Sequence, residues 1–185
     1  MKIAIYGQYY LNSTEPIIKD IFVFFKKNNV ELIIESAFLE MLYKKNLIHE
    51  TYQTFSSHTE LDSSFDMLIS IGGDGTISTV AKNLIHTDKI LGIFPAGSGN
   101  GFSNETKFSK NLDELLAKIQ RKNFKEIDTF TVNERFSINV AGVGFDGAVI
   151  EAFEKTSRGF KNYIKTSIQT FFKYQPISIT ANREY

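Results

Sequence analysis

The sequence predicts an α/β fold: a doubly wound, mostly parallel sheet with helices on both faces, followed by the beginning of a second β-rich lobe. Two observations predict it. Short apolar runs alternate along the chain with segments whose apolar residues recur at helical spacing, an order that is typical of parallel sheets. Glycine clusters follow several of the runs, where a strand would pass into a helix. The 185 residues, 42% of them hydrophobic, suffice to bury a substantial core.

The first third of the chain predicts two strand–helix pairs. An apolar run at residues 3–6 predicts a buried strand that ends at Gly7. Pro16 opens a segment of helical periodicity, since proline is tolerated in the first turn of a helix, and Asn28-Asn29 ends it. The following residues predict a strand at 31–35, a helix at 37–46 and an irregular connection at 47–64.

The rest of the sequence predicts further alternation of strands and helices, and then a different arrangement of these elements. Strands are expected at 67–71 and 90–94, and helices at 77–84 and 112–119. Beyond residue 123 we expect strands at 124–130, 135–140 and 177–181, a tight turn at 133–134, and helices at 148–155 and 160–172. The pattern therefore predicts a nucleotide-binding α/β domain over residues 1–122 and the start of a truncated β-rich lobe over residues 123–185.

Composition excludes several classes of function. The 21 basic residues balance 21 acidic ones, so the chain lacks the overall positive charge of a nucleic-acid-binding protein. It contains no cysteine and three scattered histidines, which excludes thiolate metal sites and disfavours a histidine-based one. No apolar run is long enough for a membrane span or a signal peptide. The expected location is the cytoplasm.

A first candidate site follows the clearest buried strand, as Gly72-Gly73-Asp74-Gly75-Thr76. The glycines let the backbone approach a bulky anion, and the first N–H groups of the next helix favour phosphate. Asp74 would repel phosphate unless it faces Mg²⁺ or takes the proton of an attacking hydroxyl, as phosphoryl transfer requires. The structural alternative is a simple turn with Thr76 as helix N-cap, and the five-residue string favours the functional interpretation.

A second glycine loop follows the next strand, and it contains Gly97, Ser98, Gly99 and Asn100. Its hydroxyl and amide groups suit the phosphates or ribose of a nucleotide. Two loops on neighbouring strands would lie side by side at the carboxyl edge of the sheet, where open α/β folds bind ligands. Neither loop matches the common P-loop or dinucleotide fingerprint.

Other charged residues are less specific. Asp128 follows a strand-like run and is either a Mg²⁺ ligand or a turn acid, and spacing alone leaves both interpretations open. Lys161, Lys165 and Lys173, with Arg158 nearby, make one helix basic. This pattern favours a solvated helix face over contact with lipid head groups.

These motifs resemble two related kinase families. Gly72–Thr76 resembles the signature shared by diacylglycerol, sphingosine and NAD kinases. From residue 77 onward the chain is similar to bacterial diacylglycerol kinases, and residues 1–76 are similar to the beginning of a Bacteroidetes-type NAD kinase, so the whole resembles a mosaic joined near the shared loop. The diacylglycerol-kinase-like pieces are residues 91–102, 127–128, 139–146 and 158–163.

The resemblance implies an ATP- and Mg²⁺-dependent kinase acting on a lipid hydroxyl. It implies Asp74 at the reacting centre, ATP held by the two glycine loops and Asp128 in a Mg²⁺-linked acidic network. The alternatives are an NAD kinase and an inactive nucleotide-binding fragment or chimera. The implied partners are ATP and a lipid or small-molecule acceptor, with peripheral membrane contact to reach lipid and no nucleic acid. Homo-oligomerisation stays open.

Overall fold

The structure is a computed structural model that describes residues 1–57, 60, 64–97, 100–106, 111–121, 123–140, 142–157, 159–178 and 180. The chain forms two compact units, Met1–Asn139 and Val140–Tyr185. The elements, in chain order, are β1 (Lys2–Gly7), α1 (Glu15–Lys27), β2 (Glu31–Glu35), α2 (Ser36–Lys44), β3 (Gln53–Phe55), β4 (Met67–Gly72), α3 (Asp74–Ala81), β5 (Ile90–Pro95), α4 (Gly101–Glu105), α5 (Leu112–Gln120), β6 (Phe130–Val132), β7 (Arg135–Ser137), α6 (Phe145–Glu154) and α7 (Phe160–Phe171).

The first unit is built on a five-stranded sheet in the order β3-β2-β1-β4-β5. All of its strand pairs are parallel, and the register pairs Ile5 of β1 with Ile34 of β2 and with Ile69 of β4. Strand β4 is buried along its whole length, as expected for a strand covered on both faces. The predicted doubly wound α/β fold is confirmed.

Alternate residues of the strands supply two hydrophobic faces, because side chains of a strand point in opposite directions in turn. Ile3 and Ile5 pack on one face in a cluster that includes Phe25 of α1 and Phe38 of α2. Ala4 and Leu68 pack on the other face, where Val80 of α3 joins them. The helices therefore cover opposite faces of the sheet: α1 and α2 one face, α3 the other.

Local sequence explains where the helices of this unit begin and end. Helix α2 begins directly after β2 because the Glu35 carboxylate accepts hydrogen bonds from the backbone N–H groups of Ala37 (3.1 Å) and Phe38 (2.7 Å), an N-cap arrangement. Helix α1 has Pro16 in its first turn and ends at Asn28. Asn29 then takes a left-handed conformation, with φ of 51°, which asparagine tolerates better than most residues.

The observed secondary structure differs from the predicted one in several elements. The short strand β3 lies within 47–64, where no strand was predicted, because three residues are too few to show an alternating pattern. Residues 124–129 are irregular, and the strand expected there is confined to β6. The short helix α4 was not predicted. The turn at Asn133-Glu134 between β6 and β7 is confirmed, and these two strands form a separate antiparallel pair.

The second unit contains two helices among its described residues, α6 and α7. Phe153 and Tyr163 join them edge to face, with ring centroids 5.5 Å apart. The last strand expected from the sequence, at 177–181, does not form at residues 177, 178 and 180, and its other residues lie outside the described part. No helix in the described part of the chain has the length and apolar character needed to cross a membrane.

Gly7→Ala is expected to lower the free energy of unfolding by about 1–3 kcal/mol, the usual effect of overpacking a core. A Cβ at Gly7 would overlap the ring of Phe38, reaching 2.7 Å from Cζ, and that ring is fully buried and cannot swing aside. Urea unfolding of the two proteins measures the difference. Gly147→Ala, in α6, is the matched control because its Cβ would meet only ordinary contact at 3.7 Å; equal loss of stability in both variants would contradict the explanation.

Candidate functional site

The candidate site lies at the carboxyl edge of the sheet, where β1 and β4 are neighbours. The chain leaves β1 for the face covered by α1 and leaves β4 for the opposite face, covered by α3. The two connections diverge, and such a switch point opens a crevice in which doubly wound sheets bind their ligands. The glycine turn after β4 and the glycine loop after β5 both lie at this edge.

The turn after β4 brings the backbone directly into α3. Gly73 is the N-cap residue of α3, and its carbonyl oxygen accepts hydrogen bonds from the N–H groups of Thr76 (3.0 Å) and Ile77 (3.2 Å). Thr76 is therefore not the N-cap; it is buried, and its side chain packs against Gly72 so closely that a Cβ there would collide with it. The N–H groups of Asp74 and Gly75, which precede Thr76 in α3, have no acceptor within the helix and are available to an anion.

The second loop is held against this turn. Ala96 N–H donates to the Gly72 carbonyl at 3.0 Å, which extends the β4–β5 pairing beyond the strands. A Cβ on Gly97 would lie 2.5 Å from Gly73 Cα and 2.8 Å from Gly73 N. The two loops touch backbone to backbone, and glycine at position 97 is what permits this contact.

Asn100 closes the second loop. Its side-chain oxygen accepts the Gly97 N–H at 3.1 Å, and its side-chain nitrogen donates to the Gly97 carbonyl at 2.7 Å. Its backbone is left-handed, with φ of 54°, a conformation that asparagine tolerates better than most residues. The amide expected to meet a nucleotide is thus engaged in shaping the loop. Ser98 and Gly99 lie outside the described residues.

Asp74 joins the two loops. One carboxylate oxygen accepts the Gly101 N–H at 2.9 Å and the other accepts the Phe102 N–H at 3.2 Å. Asp74 therefore caps α4, the short helix that the sequence pattern did not reveal, and its negative charge favours the helix N-terminus. A carboxylate offers about four acceptor positions, and the described residues occupy two of them, which leaves two for a proton or a cation as far as the described part of the chain is concerned.

The loop between β1 and α1 also belongs to this edge, a contribution that the sequence pattern indicated only through Gly7 at the end of a strand. Leu11 N–H donates to the Ala96 carbonyl at 3.0 Å. The Lys45 side chain holds this loop in place, because its ammonium group donates hydrogen bonds to the side-chain oxygens of Asn12 (2.9 Å) and Glu15 (2.7 Å). The hydrogen bond to Glu15 raises the pKa of Lys45. Burial raises the pKa of the neighbouring Tyr10, so its phenol stays neutral at ordinary pH.

The site contains little positive charge. Neither residues 70–80 nor residues 92–105 include a lysine or an arginine, so backbone N–H groups supply its attraction for anions. In the described segments, no group of three or more acidic or histidine side chains is arranged to hold a metal ion. Asp128 is exposed on the irregular segment before β6, and its place in a magnesium network stays a prediction.

The structure thus brings most of the predicted site residues together at one edge of the sheet: Gly72, Gly73, Asp74, Gly75, Thr76, Gly97 and Asn100. Gly75 differs from Gly72, Gly73 and Gly97, because a Cβ there would meet no atom within 4 Å. The fold and this pair of contacting glycine loops place the chain among doubly wound α/β proteins whose strand-end loops form a ligand crevice.

Comparison with known proteins identifies the family. The sequence model of the diacylglycerol kinase catalytic domain matches residues 27–132, more than half of the chain. The chain therefore belongs to the diacylglycerol kinase catalytic domain family.

Individual relatives include both kinds of kinase. The chain is 48% identical to an NAD kinase of Flavobacterium johnsoniae over 138 residues, which cover 74% of this chain and 42% of that protein. It is 29% identical to a diacylglycerol kinase of Staphylococcus epidermidis over 93 residues, 49% of this chain and 29% of the relative. An NAD kinase structure from Archaeoglobus fulgidus in complex with ATP matches 75% of this chain and 46% of its own, with 18% identity and a TM-score of 0.41.

The matches confirm the resemblance to both families. The family match begins at residue 27, well before the Gly72–Thr76 turn. An alignment of 138 residues within this chain must include the same turn and residues on both sides of it. The two resemblances therefore overlap across the turn. The chain spans less than half the length of the curated NAD kinase and diacylglycerol kinase that it matches.

Proposed function

We propose that this chain binds ATP at the two glycine loops and transfers the γ-phosphoryl group to the hydroxyl of a lipid. The backbone contact between Gly73 and Gly97 is the observation that carries the proposal, since it forms one continuous surface of main-chain atoms at the switch point. Membership of the diacylglycerol kinase catalytic domain family supports the reaction type. The proposed nucleotide contacts are Gly72, Gly73, Gly75, Thr76, Gly97, Ser98, Gly99 and Asn100.

Gly75 supports the proposal that a phosphate group of the nucleotide lies against the first turn of α3. It lies in the first turn of α3, where the free N–H groups point outward. No neighbouring atom of the protein requires a glycine there, since a Cβ would stand in open space. A phosphate group resting on the first turn of α3 would require it, because a methyl group would hold the phosphate away from the N–H groups.

Asp74 is the proposed catalytic residue. The acceptor oxygen forms the new bond to the γ-phosphorus while the bond from that phosphorus to the bridging oxygen breaks and ADP leaves. The hydroxyl proton passes to a free acceptor position of the Asp74 carboxylate. Two N–H bonds fix this carboxylate, so it needs no reorganisation during the reaction.

Mg²⁺ fits the residues present. The loops carry no cation of their own, and Mg²⁺ is commonly bound through one or two carboxylates together with substrate phosphates and water. Asp74 would hold it, with Asp128 as the proposed second carboxylate. When bound, Mg²⁺ would neutralise charge that builds up on the phosphate oxygens.

A second acceptor, NAD, is favoured by one specific observation. The NAD kinase of Flavobacterium johnsoniae is more similar to this chain, at 48% identity, than is the diacylglycerol kinase of Staphylococcus epidermidis, at 29%. Lipid stays the first proposal because the family model describes a diacylglycerol kinase domain. A lipid acceptor also requires peripheral contact with the membrane from the cytoplasmic side, which we include in the proposal.

Gly75→Ala is expected to weaken ATP binding roughly tenfold, the effect of losing about 1.4 kcal/mol of phosphate contact, while the free energy of unfolding stays equal or rises by up to about 1 kcal/mol. Stability rises because alanine favours a helix more than glycine does and its methyl group meets no atom. Calorimetric titration with ATP and urea unfolding measure the two effects. Unchanged ATP affinity would place the nucleotide elsewhere.

The reaction itself is tested by transfer of labelled γ-phosphate from ATP and Mg²⁺. Diacylglycerol in detergent micelles and NAD are offered in parallel, with Asp74→Asn as the control. Label in the lipid supports the proposal, and label in NADP selects the second acceptor. ATP binding by folded protein without label in either product would leave a nucleotide-binding module and contradict the kinase proposal.

A further inference from the structure

Asn100 and Gly101 form the one Asn-Gly pair in the sequence, and such a pair is reactive in water. Asparagine is a thermolabile residue, because the backbone nitrogen of the following residue can attack its side-chain amide carbon and close a succinimide ring. Glycine hinders this attack least, since it has no Cβ and its backbone is the most permissive. The pair lies where the glycine loop after β5 passes into α4. Its reactivity in the folded chain depends on how these two groups are held.

The peptide group that joins the pair is hydrogen-bonded at both of its polar atoms. The Gly101 N–H donates to the Asp74 carboxylate at 2.9 Å, and the Asn100 carbonyl oxygen accepts the N–H of Asn104 at 3.0 Å. The attacking nitrogen is therefore turned toward Asp74. A peptide group is planar and moves as a unit, so rotating it toward the side chain of Asn100 would break both bonds.

The side-chain amide of Asn100 is held as well, by Gly97. Its oxygen accepts the Gly97 N–H at 3.1 Å and its nitrogen donates to the Gly97 carbonyl at 2.7 Å. Burial does not supply the protection, because Asn100 is only partly buried and Gly101 is exposed, so water reaches the pair. Four hydrogen bonds, rather than exclusion of water, keep the reacting groups in place.

We propose that Asn100-Gly101 is a deamidation site that the contact between Asp74 and α4 keeps closed in the folded chain. When the contact opens, the Gly101 nitrogen forms a bond to the Asn100 side-chain carbon. The bond from that carbon to the amide nitrogen breaks, and ammonia leaves with the proton that the Gly101 nitrogen gave up through solvent. One water molecule then opens the ring, which yields aspartate or isoaspartate, whose main chain runs through the former side chain.

Deamidation would alter the candidate nucleotide site irreversibly. A carboxylate at position 100 cannot donate to the Gly97 carbonyl, so one of the two bonds that close the loop is lost. It also adds negative charge to a loop that contains no lysine or arginine and that the proposed function assigns to phosphate groups, which a carboxylate repels. The reaction itself is independent of the proposed function, and only this loss of ATP affinity rests on it.

Timed incubation of the whole chain in mildly alkaline buffer tests the proposal, because base favours loss of the Gly101 amide proton. Trypsin releases residues 90–107 as one peptide, in which Asn104, followed by glutamate, is the internal control for mass spectrometry. We expect deamidation at Asn100 in the chain unfolded by guanidinium chloride and a rate at least about tenfold lower in the folded chain, which corresponds to an opening free energy of about 1.4 kcal/mol. Equal rates in the two states, or no reaction at Asn100 in either, would overturn the proposal.

Asp74→Ala separates this contact from overall stability. The variant leaves the Gly101 N–H without its acceptor, so Asn100 should deamidate in the folded variant at least about fivefold faster than in the unchanged chain. Phe102→Leu is the matched control, because it loosens the buried packing of α4 and keeps the Asp74 carboxylate. A rate in Asp74→Ala no higher than in Phe102→Leu would show that the contact does not protect the pair.

Hydrogen exchange of the Gly101 amide in the unchanged chain is a second measurement that needs no variant. Exchange and deamidation both require the bond to Asp74 to open, so the folded chain should slow deamidation at least as strongly as it slows this exchange. A well-protected Gly101 amide beside rapid deamidation at Asn100 would contradict the proposal.

The effect on the nucleotide is measured separately on Asn100→Asp, which reproduces one product. Calorimetric titration should show ATP binding roughly tenfold weaker than in the unchanged chain, a loss of about 1.4 kcal/mol. Unchanged ATP affinity would contradict the placement of the nucleotide at this loop and leave the deamidation result intact.

Discussion

Asp74→Asn is expected to lower phosphoryl transfer by about 10²–10⁴-fold, the range that a positioned general base contributes. Asparagine has a similar shape, but its amide cannot take the proton of the acceptor hydroxyl and is a poor ligand for Mg²⁺. The initial rate with labelled ATP measures the loss, and ATP affinity should change far less than the rate. Undiminished transfer would reduce Asp74 to the cap of α4.

The same substitution has a structural effect that must be separated from the chemical one. Asparagine keeps one acceptor oxygen and turns its NH₂ group toward the second backbone N–H, so one of the bonds to Gly101 and Phe102 is lost. Leaving such a group unpaired costs about 1–3 kcal/mol. Phe102→Leu is the matched control, because it loosens the buried packing of α4 but keeps the Asp74 carboxylate and the backbone N–H of residue 102 that donates to it. A rate loss no larger than that of Phe102→Leu would contradict the catalytic role.

Gly97→Ala is expected to separate the two loops and to lower ATP affinity by roughly 10- to 100-fold. Its Cβ would stand 2.5 Å from Gly73 Cα, a distance that real Cβ atoms do not adopt, and backbone atoms of Gly73 cannot rotate away as a side chain could. Restoring an ordinary contact requires the main chain to shift, at about 1–3 kcal/mol of unfolding free energy. Urea unfolding and ATP titration measure the two effects.

Gly75→Ala provides the comparison, since it adds the same methyl group to the same site where no atom stands within 4 Å. The two variants should both bind ATP more weakly, but only Gly97→Ala should lose stability. Wild-type stability and affinity in Gly97→Ala would show that the loops are free to move apart, and the proposal of one continuous binding surface would then be wrong.

The sequence predicted the strands and helices that bury the most apolar residues. Strand β4 is an apolar run interrupted by a single serine, Ser70, and was placed to within one residue, because a strand covered on both faces is nearly continuously apolar. Helix α1 was likewise found from its spacing. Short elements such as β3 and α4 escaped prediction, since three to five residues carry too little periodicity.

For the candidate site, too, the sequence predicted some features and could not show others. The glycines and Asp74 could be named from the sequence because their residue types at the ends of strands suit an anion and a transferred proton. The sequence could not show that Asp74 caps α4 or that the Asn100 side chain is hydrogen-bonded to Gly97, because these bonds depend on where neighbouring strands end. It also favoured a solvated face for the lysines of α7, and Lys161, Lys165 and Lys173 are exposed.

Local residue types thus determined the fold class, the family resemblance and the residues able to do chemistry. Tertiary structure decided which of those residues meet. A parallel sheet aligns the ends of strands that are far apart in sequence, so Gly73 touches Gly97 and Leu11 reaches Ala96. Such contacts depend on the register of the strands and on the face of the sheet to which each connection turns. The loop residues alone determine neither property.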